Sequence, residues 1–228
     1  MKEIFKGYFK SFLFTPVSAT ILCLLFTNII FIFFPYSIPK ITDDFHFIDI
    51  ITIISYVVLL ATLIIFYKDF SNKTDYSIYI FLTIVAFLRE MGAQHWLTTT
   101  DTTAIKIRFF TNPNNPFHEK IISFFVILAV VIPIIYIAKK FALYLVKKFL
   151  KFDTVSWSIG TFFAFAIIGE IFDRFPSGFR KHFGIALNDL IKNNMEVLEE
   201  STEMFFSFIL IVAIIQYHMI KNSKFLKK

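Results

Sequence analysis

The stretch IISFFVILAVVIPIIYI, residues 121–137, decides the fold. It carries no charge over seventeen residues. As a helix it would rise about 26 Å, close to the roughly 30 Å hydrocarbon layer of a bilayer. Five further blocks of similar length stand at residues 16–34, 48–66, 76–96, 156–172 and 204–220. Hydrophobicity gathered in blocks this long argues for spanning helices and against the short alternating strands of a barrel. Residues 1–228 are therefore read as one integral membrane domain, an all-α polytopic helix bundle of about six transmembrane helices.

Composition agrees. The chain is 57% hydrophobic with 33 phenylalanines and a mean hydropathy of +0.68, beyond the roughly 45–50% apolar content of soluble domains. Lys2, Lys6 and Lys10 precede the first block as they would in a secretory signal. That block runs from Phe12 to Phe34, longer than a signal's apolar core of about 7–15 residues, so it reads as an uncleaved first helix. Cys23 is the one cysteine. It can build neither a disulfide framework nor a cysteine metal site, and reads as packing or lipid-facing filler. Turn residues mark the gaps: Pro35 and Pro39, then Asn112 to Pro116, then Pro176, Ser177 and Gly178.

Positive charge fixes the expected orientation. The termini, the second connection and the fourth connection hold fourteen of the 23 lysines and arginines. Lys40, Lys106, Arg108, Lys120, Arg174, Arg180, Lys181 and Lys192 fall on the other side, and Arg89 lies inside the third block. Both termini are thus expected to be cytoplasmic, in a multi-pass protein of a bacterial inner (plasma) membrane. Lys139, Lys140, Lys147, Lys148 and Lys151 alternate with Phe141, Leu143, Tyr144, Leu145 and Phe149. This pattern suits a helix gripping anionic lipid head groups. The net charge of +6 is explained by topology, and no nucleic-acid partner is expected.

With this topology three charged helix ends converge on the outer side: Arg89, Glu90, Gln94 and His95 on the third helix, Glu170, Asp173 and Arg174 on the fifth, and Glu196, Glu199, Glu200 and Glu203 on the sixth. At about 100° per residue the four glutamates share one face of the sixth helix, with Ser207 one turn deeper. Ionisable groups at membrane depth are costly and face a bundle interior, where they pair or serve a function. One reading pairs Arg89 with Glu203 and Arg174 with Glu170, which would fix helix packing. A divalent metal is the alternative occupant, since carboxylates and the imidazoles of His95 and His118 are ordinary ligands. The Glu-x-x-His and His-Glu-x-x-His spacings of known metal helices are absent, however. His46 and His182 read as interfacial, His218 lies toward the opposite end of the sixth helix, and none of the three is assigned as a ligand.

Two outer connections complete the expected site. Residues 98–120 include an alternation of basic and apolar residues over 104–110, which reads as a strip presenting Lys106 and Arg108 to an anion. Phe179, Phe183, Leu187 and Leu190 recur at helical spacing beside Arg180, and read as a short interfacial helix. No hydrolase motif is complete. Met204 stands where the Glu-Glu-x-x-x-Arg motif of CAAX-type intramembrane proteases needs arginine after Glu199 and Glu200, and Phe179 follows Ser177 and Gly178 where the phosphatidic-acid phosphatase motif needs histidine. The sequence leads to a membrane protein that binds or transports an ion, a proton or a polar head group. The alternatives are a membrane-embedded hydrolase or transferase for a lipid-linked substrate, metal-dependent in its sharper form, and a non-catalytic scaffold or subunit.

Overall fold

A computed structural model describes residues 7–33, 47–99 and 106–225. Lys2, Lys6, Phe34, Pro35, Pro39, Lys40, His46, Ala104, Lys227 and Lys228 lie outside the described residues. The fold is all-α, with no strand among the described residues. The helices are α1 (Phe14–Phe33), α2 (Phe47–Ile65), α3 (Lys73–Glu90), α4 (Ala93–Trp96), α5 (Ile107–Thr111), α6 (Phe117–Phe149), α7 (Thr154–Phe183) and α8 (Asp189–Phe225). A 3-10 turn, Tyr67–Asp69, follows α2. Five of these, α1, α2, α6, α7 and α8, are long and apolar enough to cross a membrane. The chain is an integral membrane helix bundle.

The expected third span, residues 76–96, differs from the helix that forms. Asn72 caps the start of α3 by accepting from the Thr74 and Asp75 amides at 2.8 and 3.4 Å. The helix ends at Glu90, because Gly92 adopts φ +73° and turns the backbone into the left-handed region. Residues 93–96 then form the separate turn α4. The 18 residues of α3 rise about 27 Å and bear Lys73 and Asp75 at one end, Arg89 and Glu90 at the other.

Helices α6, α7 and α8 outrun their expected limits. Pro176 does not end α7, which continues to Phe183, and Ser177 donates to the Arg174 carbonyl at 3.0 Å near that proline. Gly184 stops it at φ +69°, its amide bonding to Arg180 O at 3.0 Å. The short helix expected over 179–191 therefore does not exist as a unit. Phe179 and Phe183 finish α7, and Leu190 begins α8. The basic residues from Lys139 to Lys148 lie on the last turns of α6, with Lys151 in the turn that follows.

The chain divides into two compact units, one formed by Met1–Asp69 and Val146–Lys228, the other by Phe70–Leu145. In the first, α8 packs on α7, α2 and α1 around a core of Ala19, Cys23, Ile30, Ile48, Phe165, Val197, Met204, Phe205 and Ile209. Cys23 is thus packing filler in the core. Helices α7 and α8 are antiparallel: Ser158 meets Gln216 at one end, and Gly169 lies against Thr202 toward the other. A Cβ at Gly169 would meet Thr202 at 3.7 Å, an ordinary van der Waals contact. Helices α2 and α8 are parallel. Ser55 reaches Ser207, and farther along the same pair Asp69 reaches His218.

Asp69 sits beside the 217–221 turn of α8, while Thr154 and Ser158, at the start of α7, bond to Lys10 O and Gln216. The chain leaves the first unit and returns to it at the same end of α8. About six spans are expected from the sequence and five helices have the length and apolarity for one; α3, at the place of the expected third span, is not among the five.

The return into α7 is held by aromatic packing. Phe149 stacks on Trp157 with centroids 4.4 Å apart and 12° between planes, and the Trp157 indole donates to Phe149 O at 2.9 Å. A Cβ at Gly160 would lie 2.8 Å from the Phe149 ring. Gly160→Leu is expected to eject that ring and to destabilise the protein by about 1–3 kcal/mol, the usual range for overpacking. Thermal melting in detergent reads the effect, and Phe149→Ala in the same chain should recover part of it.

A candidate polar seam between two helices

The glutamates of α8 are neither solvated nor fully buried. Glu196, Glu199, Glu200 and Glu203 are all half-buried, and each has an interaction partner. They lie in the first half of a 37-residue helix, not in a connection before it. Counting back from Ser207, Glu203 and Glu200 stand one and two turns away on nearly the same face. Ser207 is fully buried and hydrogen-bonded to Ser55, itself 1% exposed, on α2. A carboxylate stripe thus leads into a hydroxyl pair inside the first unit.

The charged end of α7 behaves differently. Glu170, Asp173 and Arg174 are exposed, and Arg174 Nε is bonded to Glu170 Oε1 one turn away on the same helix. Gly169 and Thr202 bring this end of α7 to the depth of the α8 glutamates, but Glu170 and Arg174 turn outward, with side chains 55% and 75% exposed. They lie along an open, shallow groove on one face of α7, together with Phe163, Ile167, Phe175 and His182. Arg180 is exposed at the end of the same helix.

The third charged end belongs to the second unit. Arg89 is exposed and Glu90 half-buried at the close of α3, and both have interaction partners. His95 is exposed on α4, which also includes Gln94. Lys106 and Arg108 are exposed as well. The strip that carries them is a short helix, α5, in which Phe109 is wholly buried and Ile107 is 81% exposed. Asn115 donates to Phe109 O at 2.8 Å and Lys120 to Asn112 O at 2.7 Å. Glu119 accepts from the Thr99 hydroxyl at 2.8 Å. Residues 106–120 are therefore built on internal hydrogen bonds. Among the described residues, no three His, Cys, Asp or Glu side chains gather closely enough to hold a metal ion.

Sequence reasoning missed the partners of the buried acids at the other end of the helices. Asp75, 7% exposed, accepts from Lys140 with both oxygens at 2.7 and 2.8 Å and from the Tyr136 hydroxyl at 3.1 Å. Asp69, 8% exposed, meets His218 Nδ1 at 2.5 Å and Lys221 Nζ at 3.4 Å. The available signal was a lone acid just past an apolar block, which a membrane interior tolerates only with a partner. No family model, curated protein or solved structure matches this chain.

Proposed function

We propose that this protein binds or moves protons or small cations along the face that α8 presents to α2. The observation that supports this reading is the stripe of half-buried glutamates running into the buried Ser55–Ser207 pair. Carboxylates at membrane depth exchange protons or hold cations readily, because neither their charged nor their neutral form is fully satisfied there. Two facing hydroxyls extend the path inward, each able to donate and accept.

The test is reconstitution into liposomes with an enclosed pH dye and an imposed potassium-diffusion potential. Wild-type protein should carry protons or sodium, and Glu203→Gln, which removes the charge nearest Ser207, should reduce the flux about tenfold or more. Folded wild-type protein with no flux of either ion would defeat the reading.

A second reading, recognition of a polar head group, is favoured by the groove on α7. Its walls are apolar and aromatic, and the Glu170 and Arg174 pair offers both signs of charge to a zwitterion. Phosphatidylethanolamine retained through purification by wild type and lost in Arg174→Gln is the expected result, read by mass spectrometry. The exposed lysines at the end of α6, Lys139 and Lys147 among them, extend this reading to anionic head groups.

A further inference from the structure

We infer that His218, held by Asp69, is the proton-exchanging group at the opposite end of the α2 and α8 seam, where it loads or unloads the path that the outer glutamates begin. This rests on the proton reading above. The geometry is independent of the glutamates. Ser207 and His218 are eleven residues apart on α8, three turns that return to nearly the same face, about 16 Å along the axis. On the facing chain Ser55 and Asp69 mark the same two levels: the paired residues are separated in sequence by 152 and by 149 positions. One face of α8 thus carries glutamates at one end and an imidazole at the other.

The surroundings of His218 fix its chemistry. Asp69 Oδ2 lies 2.5 Å from Nδ1, so Nδ1 carries a proton and the carboxylate accepts it. Asn222 Nδ2 stands 3.0 Å from Nε2, and Nε2 is the basic nitrogen. A proton from the adjoining water adds to the Nε2 lone pair to give the imidazolium, and Asn222 turns its amide oxygen to that new N–H. The ion is neutralised by Asp69. Release is the reverse step. Lys221 shares the carboxylate, with Nζ 3.4 Å from Oδ1 and 2.8 Å from Asp69 O. The Tyr217 hydroxyl also approaches Asp69 O at 3.5 Å, and the Phe66 ring packs on the imidazole at 4.4 Å between centroids. The His218 side chain remains 34% exposed, within reach of water.

Between the two polar levels α2 buries Tyr56, Leu59, Thr62 and Leu63, with the Thr62 hydroxyl spent on Val58 O at 2.8 Å. Leu59 and Leu63 close the seam between the two polar levels, and water must enter there for a proton to pass.

The experiment uses full-length protein in liposomes, with melting temperature recorded for each variant. Wild-type proton flux should change with pH. His218→Gln should reduce flux about tenfold and flatten that dependence, and Asp69→Asn should displace it. A folded His218→Gln protein with wild-type flux and pH dependence overturns the inference and leaves the proton reading standing. Absence of flux in wild type overturns both. Nitrogen-15 spectra of labelled histidine give an independent readout should either variant fail to fold: a His218 signal that does not titrate between about pH 5 and 8 also overturns the inference.

Discussion

Gln216→Ala is expected to destabilise the protein by about 2–3 kcal/mol, more than any other single polar substitution in the first unit. Gln216 is fully buried and joins three segments at once. Its amide donates to Phe9 O at 3.0 Å and to Thr15 Oγ1 at 3.2 Å, and its carbonyl accepts from Ser158 Oγ at 2.5 Å. Thr15 and Ser158 are themselves 2.6 Å apart. Interhelical hydrogen bonds within a bilayer average only about 0.6 kcal/mol each, because the separated helices find other partners. The larger cost comes from what truncation leaves behind: a void in the bundle and the buried Thr15 and Ser158 hydroxyls each with one partner fewer, about 1–3 kcal/mol. Gln216→Leu should be as harmful despite filling the space. Steric-trapping or thermal denaturation in detergent measures the loss, and a change below about 0.5 kcal/mol would mean that the network does not tie the helices.

That network was invisible in the sequence, whereas the spans around it were not. A run such as residues 121–137 has one outcome in a bilayer, since every backbone polar group must bond within the segment. Five spans follow from apolar length alone. The expected third span is the exception: the helix at its place, α3, is charged at both ends and is not among the five. Boundaries were less readable for physical reasons. Pro176 follows a long helix near its end, where a lost amide is easily made good, and the chain runs on until Gly184 supplies the left-handed turn.

The candidate site was legible by type and not by direction. The face shared by Glu200, Glu203 and Ser207 could be counted along the helix, and Ser207 does meet a buried partner. Helical periodicity cannot say which neighbour a face meets. The same counting placed Glu170 and Arg174 together, and they are together, but they point outward. The sequence assigns His218 no ligand role, since it lies toward the end of the sixth helix opposite the glutamates. Its meaning depends on Asp69, far away in sequence, at the end of another helix.

Phe109→Ala should release residues 106–116 while leaving the spanning helices intact. The alternation in this segment predicts that Ile107 and Phe109 share a face, as they would in an extended strip. In α5 they are instead about 200° apart, with Ile107 in the open and Phe109 wholly enclosed. Five residues of helix have no stability of their own. Phe109 is therefore the anchor on which the exposed Lys106 and Arg108 depend for their position, helped by Asn115 bonding to its carbonyl and by the Phe110 ring set edge-on at 5.6 Å. Truncating a buried phenylalanine costs about 3–5 kcal/mol, more than two side-chain hydrogen bonds can hold. Hydrogen exchange should accelerate at least a hundredfold across 107–116 in Phe109→Ala, and much less in Phe109→Leu. Unchanged exchange there would show that the polar contacts of Asn115 and Lys120 hold the segment without the ring. Lys106 and Arg108 would then owe their placement to hydrogen bonding alone.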